Sequence, residues 1–256
     1  FSIGNTELGS AQSLMKLTKL NYFIGHESGV NTDYTLQADS GKYNSFFGWE
    51  SGKSNTFGAY NVFMGFETGW GNVGGLYNVF IGYKSGRANH NANFNTFLGF
   101  ETGINNTSSD NTFIGYSAGK MHSGGGGNVF IGSKAGQNDI GGVQNIYIGE
   151  FAGYQNTNGQ HNVFMGHECG RSNTSGSKNV FLGYQSGLAN TVGSRNVFIG
   201  DSAGVSNTQG YRNVFIGYYS GKTSANTIYN TFVGSEAGEN TIDGVNQQGS
   251  FNTYVG

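Results

Sequence analysis

The chain has 256 residues, a net charge of −2, 46 glycines, 32 asparagines, no proline and one cysteine. This balance offers no general basic field for nucleic acid, and a single cysteine allows no intrachain disulfide. Aromatic residues make up 14% of the chain, which separates it from Gly-rich disordered sequences, where aromatics are few.

A unit of about 17 residues repeats along the sequence. Its clearest copy is Asn196–Gly204, N-V-F-I-G-D-S-A-G, which begins again at Asn213. Copies start at Asn21, Asn44, Asn61, Asn78, Asn95, Asn111, Asn128, Asn145, Asn162, Asn179, Asn196, Asn213 and Asn230, with a truncated copy at Asn252. Self-similarity at a short fixed period predicts a stacked array. The expected fold is all-β: a parallel β-solenoid, or β-roll, of about 13–14 coils forming a single domain. Positions below are numbered 1–17 from the unit's Asn.

Residues 1–43 read as an irregular N-terminal cap, and 44–256 as the regular solenoid. Phe1–Gly4 resembles a decayed unit core. Ala11–Leu20 has three Leu, a Met and two Lys, and predicts a short helix or an extra strand over the end of the stack, where coil edges would otherwise be exposed. No apolar run approaches a membrane span and no signal peptide is visible. The start at Phe1 without Met and the stop inside a unit at Gly256 read as a segment of a longer protein.

Within each unit, N-V-F-I-G suits a short strand. Glycines at positions 5 and 9 read as corners needing φ > 0 or close approach to the next coil. The recurring N-T-x-G at positions 12–15 (Asn156–Gly159, Asn173–Gly176) is turn chemistry. Stacking at about 4.7–4.9 Å turns each position into a column, so thirteen coils predict a rod on the order of 60 Å long. Position 1 becomes an amide ladder (Asn61, Asn78, Asn95, Asn196, Asn213), each side chain pairing with the coil above. Position 3 becomes an aromatic column (Phe63, Phe80, Phe198, Phe215).

Positions 3 and 4 are both apolar in every copy, yet point to opposite faces of a strand. One face can fill the coil; the other needs a partner. A homo-oligomer, with a trimer favoured, is therefore expected. The competing expectation is a kink at the position-5 glycine that tucks both side chains into one lumen.

The pattern N-[VT]-F-I-G-Y-x-[SA]-G with its N-T-x-G turn resembles the head repeats of trimeric autotransporter adhesins and similar arrays in phage tail fibres and bacterial surface proteins. The resemblance runs over residues 21–256 and rests on the I-G core and Asn ladder, as at Asn196, Ile199 and Gly200. The aromatic residue at position 3 and the 17-residue period depart from the adhesin heads. The resemblance implies a trimeric fibre or adhesin segment on a cell or virion surface.

Two further stripes stand out at position 17. Tyr43, Tyr60, Tyr77 and Phe94 form an aromatic run; His161, Lys178, Arg195 and Arg212, then Tyr229, form a basic one. These predict a linear ligand surface, aromatic rows for sugar faces and basic rows for anionic polysaccharide at a cell surface. Position 7 carries Glu27, Glu50, Glu67, Glu101, Glu168 and Glu236 with Lys84 and Lys134, which predicts exposed ion pairs and at most a weak Ca²⁺ site along Glu27–Glu50–Glu67. Thr56, Thr157, Thr174, Thr191 and Thr208 form the one hydroxyl column an ice-binding plate would use.

No nucleophile–base set is present, and His26, His90, His122, His161 and His167 are scattered, so no enzyme, cofactor or metal is expected. Gly52–Ser54 and Gly221–Thr223 resemble a phosphate loop but are one residue short, with no helix to follow. Cys169 fills position 8, where other coils carry Ser, Ala or Thr, and reads as a small buried side chain. The alternatives to a fibre segment are a self-assembling filament and a glycan- or ice-binding plate.

Overall fold

A computed structural model describes residues 2–4, 13–33, 35, 39–239 and 251–256. Phe1, Ala11 and Gln12 of the two N-terminal readings lie outside the described residues. The chain divides into two compact units, residues 1–126 and 127–256. Each is a parallel β-solenoid with one strand per coil, and no helix occurs among the described residues.

The first unit holds β1 (Ser2–Gly4), β2 (Ser13–Leu17), β3 (Asn21–Ile24), β4 (Asn44–Phe47), β5 (Val62–Met64), β6 (Val79–Ile81), β7 (Thr96–Leu98) and β8 (Thr112–Ile114). Strands β3 to β8 pair in parallel, residue 3 on residue 3: Phe63 on Phe80, Phe80 on Phe97. Strand β2 runs antiparallel to β3, so of the two N-terminal alternatives the extra strand is what forms. It hydrogen-bonds the edge that β3 would otherwise expose.

The second unit holds β9 (Val129–Ile131), β10 (Ile146–Ile148), β11 (Val163–Met165), β12 (Val180–Leu182), β13 (Val197–Ile199), β14 (Val214–Ile216), β15 (Thr231–Val233) and β16 (Thr253–Val255), again parallel and in register.

Three-residue strands would not hold a sheet alone. The rest of each coil is bonded to its neighbours as well. In the coil starting at Asn61, the N–H groups of Glu67, Gly69, Gly71, Val73 and Tyr77 all donate to carbonyls of adjacent coils. The backbone of a loop-like segment is thereby satisfied in the interior.

The lumen is filled by position 3. Phe46, Phe63, Phe80, Phe97 and Phe113 are all fully buried. Their rings stack at centroid distances of 4.7–4.9 Å. The position-9 glycine lies flat on this ring: a Cβ at Gly69 would sit 2.6 Å from the Phe63 ring. The position-5 glycine is required by the next coil, since a Cβ at Gly82 would sit 2.1 Å from the Gly99 carbonyl oxygen.

The amide ladder is wired both between coils and within each coil. Asn78 Oδ1 accepts the backbone N–H of Asn95 at 3.0 Å, but its Nδ2 donates across its own coil to the Ala92 carbonyl at 2.9 Å. Asn196 does the same with Asn213 and Gly210. Side chain-to-side chain bonds run along position 1 as well, Asn61 to Asn44 at 3.2 Å and Asn213 to Asn196 at 3.1 Å, and a second buried ladder, at position 12, is bonded in the same way. Asn72 donates to Asn55 at 2.7 Å and Asn89 to Asn72 at 2.9 Å, and Asn173 and Asn190 continue it in the second unit. His122 occupies the slot once, with Nε2 2.8 Å from the Gly125 carbonyl. Asp139 occupies it once too, accepting from Gly142 N–H and Asn156 Nδ2.

Tyr147 is the one fully buried tyrosine in the ring column. Its hydroxyl makes no well-formed hydrogen bond, and burial pushes its pKa well up. Tyr147→Phe is expected to raise stability by roughly 1–3 kcal/mol, because it removes a desolvated polar group without changing the packed ring. The guanidinium unfolding midpoint checks this.

Candidate functional site

The position-17 column sits on a sharp corner. Tyr43, Tyr60, Tyr77 and Phe94 have φ of 57–60°, the left-handed region, and so do Lys178, Arg195 and Arg212 at 59–61°. From Tyr60 onward each of these N–H groups bonds the carbonyl of position 16 in the preceding coil, as Tyr77 does with Ala59 and Arg195 with Ser177, while Tyr43 bonds Leu20. The turn aims the side chain outward.

The aromatic run forms a true ladder: Tyr43–Tyr60, Tyr60–Tyr77 and Tyr77–Phe94 stack at 5.0, 4.8 and 5.2 Å, with planes within 21°. Nearly parallel rings at this spacing cover one another's faces. What reaches solvent is ring edges and phenolic hydroxyls, so the sugar-face reading keeps no flat platform inside the run. Tyr60 donates to Asp39 Oδ2 at 2.5 Å, and that bond pushes its pKa up to about 12. Beside it lies a groove of about 440 Å³ lined by Asp39, Phe57, Tyr60, Leu76 and Tyr77.

The basic run is exposed as well. Arg212 donates to the Tyr229 hydroxyl and lies over the Tyr229 ring, 5.1 Å from its centroid. Among the described residues no carboxylate pairs with Lys178, Arg195 or Arg212.

The outward strand face was legible only in part. Position 3 turns in and position 4 turns out, so the kink that would place both in one lumen does not occur. Met64 and Leu98 at position 4 are each 45% exposed, and Val62 and Val79 at position 2 are 37% and 36% exposed. Position 6, the Y of the repeat pattern, adds a second exposed aromatic ladder: Phe66, Tyr83, Phe100 and Tyr116 stack at 5.3, 4.8 and 5.4 Å. In the second unit the same position carries Ser133, Glu150, His167, Tyr184, Asp201, Tyr218 and Ser235. A broad apolar band therefore belongs to the first unit.

The acidic position-7 column is neutralised from position 10 more than along itself. Arg87 binds Glu67 at 2.7 Å while Lys84 stands 3.9 Å away, and Lys120 binds Glu101 at 2.7 Å. His26, Glu27 and Glu50 bring one possible ligand atom each to within 4.8 Å of one another. Lys53 Nζ already bridges Glu27 at 2.5 Å and Glu50 at 3.2 Å, so an ammonium stands where a Ca²⁺ would be expected.

The Thr column is spent internally: Thr157, Thr174 and Thr191 donate to carbonyls of the next coil at 2.9–3.0 Å. Cys169 is fully buried, its thiol 3.1 Å from the Phe181 carbonyl and pushed up in pKa by burial. Among the described residues no helix is long and apolar enough to cross a membrane. Compared with known proteins, the chain matches no family model, no curated protein and no solved structure.

Proposed function

We propose that the chain is a structural segment of a surface fibre, which associates with further copies of itself through the outward strand face of its first unit. The observation that carries the reading is the band of exposed apolar columns at positions 2, 4 and 6, running coil after coil through Val62, Met64, Phe66, Val79, Tyr83, Leu98 and Phe100. Contiguous exposed apolar surface of this kind marks an interaction site.

The occupant is another copy of this chain, because the columns repeat once per coil. Only a partner with the same pitch can keep side chains interdigitated over many coils. Three copies is the expected number, from the resemblance to trimeric adhesin heads. That resemblance also supports an extracellular or virion location. The role is reach and rigidity, with no catalysis. Continuous coil-to-coil hydrogen bonding and a dry ring column support rigidity.

Light scattering on the full chain tests this. The expected mass is three times 27.2 kDa. Met64→Glu with Leu98→Glu should return it to 27.2 kDa with unchanged circular dichroism. A wild-type chain that stays at single-chain mass would overturn the reading, and a mass that grows without limit would replace it with end-to-end filaments.

A further inference from the structure

We infer that the position-17 stripe of the second unit is a binding site for a linear polyuronate, a polysaccharide bearing one carboxylate per sugar. Three cations, Lys178, Arg195 and Arg212, occupy the same corner of three successive coils. Parallel coils lie about 4.7–4.9 Å apart, so these charges are held in register at close spacing. Like charges directly opposite one another across paired strands destabilise.

Nothing in the fold asks for that arrangement. The same corner holds Tyr77, Phe94 and Gln144 elsewhere, each with φ of 54–57°. Nor is the repulsion relieved internally. The cations at position 10 are paired with glutamates, as Lys53, Arg87, Lys120, Arg171 and Lys222 are. No carboxylate among the described residues pairs with the stripe. The neighbouring position-16 slots carry Ser177 and Ser194, whose hydroxyls bond backbone and add no charge.

The stripe is therefore a row of cations with no counter-charge of its own: Arg212 meets only the neutral Tyr229 hydroxyl and ring. Guanidinium groups bind carboxylates through paired N–H donors, and ammonium groups add point charge. A pyranose chain suits the row because it offers one carboxylate per ring and a ring is about as long as one coil is tall. A phosphodiester chain spaces its charges more widely, and the net charge of −2 supplies no wider basic field to hold it.

The test is titration of the full chain with polygalacturonate, its methyl ester and single-stranded DNA, at several salt concentrations. Polygalacturonate should bind, and the neutral ester should not. Replacing Lys178, Arg195 and Arg212 together by Gln, a residue the corner already accepts at Gln144, should weaken binding about tenfold or more and flatten the log–log salt dependence by about two to three. The triple variant Lys53→Gln, Lys120→Gln and Lys222→Gln makes the same change in net charge at paired positions and should bind as wild type. Three results would overturn the inference: no binding of polygalacturonate, equal loss in both triple variants, or DNA binding as tight as polygalacturonate.

Discussion

Gly82→Ala is expected to cost at least about 3 kcal/mol and to open the coils on either side of it. The substitution is the smallest possible, yet the added Cβ would lie 2.1 Å from the Gly99 oxygen and 2.7 Å from its carbonyl carbon. Those are backbone atoms of the next coil, fixed by the bond from Gly99 N–H to the Ile81 carbonyl, so they cannot move aside without breaking the ladder. The φ of +128° adds a second penalty, since side chains rarely adopt it. Gly69→Ala makes a useful comparison. Its φ of +58° is the milder left-handed region, and the Cβ would meet a ring, 2.6 Å away, that can tilt. Its loss should be smaller. In a stacked array each coil depends on its immediate neighbours, so the damage should stay local. Thermal unfolding gives the size of the loss, and hydrogen exchange at Gly82 and Gly99 gives its place. Equal losses for both variants would mean that close coil approach is not what position 5 protects.

The second large effect is expected at Asn196. Asn196→Ala removes the acceptor of Asn213 N–H, at 3.0 Å, and the donor to the Gly210 carbonyl, at 2.8 Å. Both groups are buried backbone atoms. At about 1–3 kcal/mol for each stranded group, the loss is roughly 2–6 kcal/mol. Asn196→Asp separates the two bonds. One carboxyl oxygen can still accept from Asn213, but the other faces the Gly210 oxygen, and only the protonated acid can donate to it. The folded state therefore raises the acid's pKa above its unfolded value of about 3.9. With more protons bound folded than unfolded, stability falls as pH rises. The Asp variant should approach wild-type stability below about pH 4 and lose it progressively as pH climbs through the folded pKa, while the Ala variant shows no such slope. Denaturant midpoints between pH 3 and 7 distinguish them; parallel pH curves would sink the hydrogen-bond assignment.

The register of what repeats was legible in the sequence. A 17-residue period, an Asn at position 1, a ring at position 3 and glycines at 5 and 9 can be met together only by a stack of identical corners. Parallel coils, in-register columns and the buried Phe80 or Phe198 follow from that. Column membership was legible for the same reason: Tyr60 stacks on Tyr77 because both are one residue before an Asn.

The wiring inside the coil was not legible. Asn78 spends its Nδ2 on Ala92, fourteen residues on in its own coil, because the lumen brings positions 1 and 15 face to face; spacing alone does not show which groups meet across a lumen. Nor were the left-handed corners at positions 7 and 17 read, since Glu67, Lys84, Tyr77 and Arg195 are not residues that favour positive φ. A negative signal was present: neither slot carries Val, Ile or Thr in any copy, the side chains such a backbone tolerates least.

The sequence by itself determined the solenoid, its register and its buried column, because these depend only on what each unit shares with the next. Tertiary structure alone decided what faces water. It turned position 4 outward, aligned Phe66 with Tyr83 and Phe100, set ring edges where ring faces were expected, and placed no carboxylate among the described residues beside Lys178, Arg195 or Arg212. Exposure depends on how a coil closes on itself, and the direction of a side chain at a corner is set by backbone angles that a one-dimensional pattern does not carry.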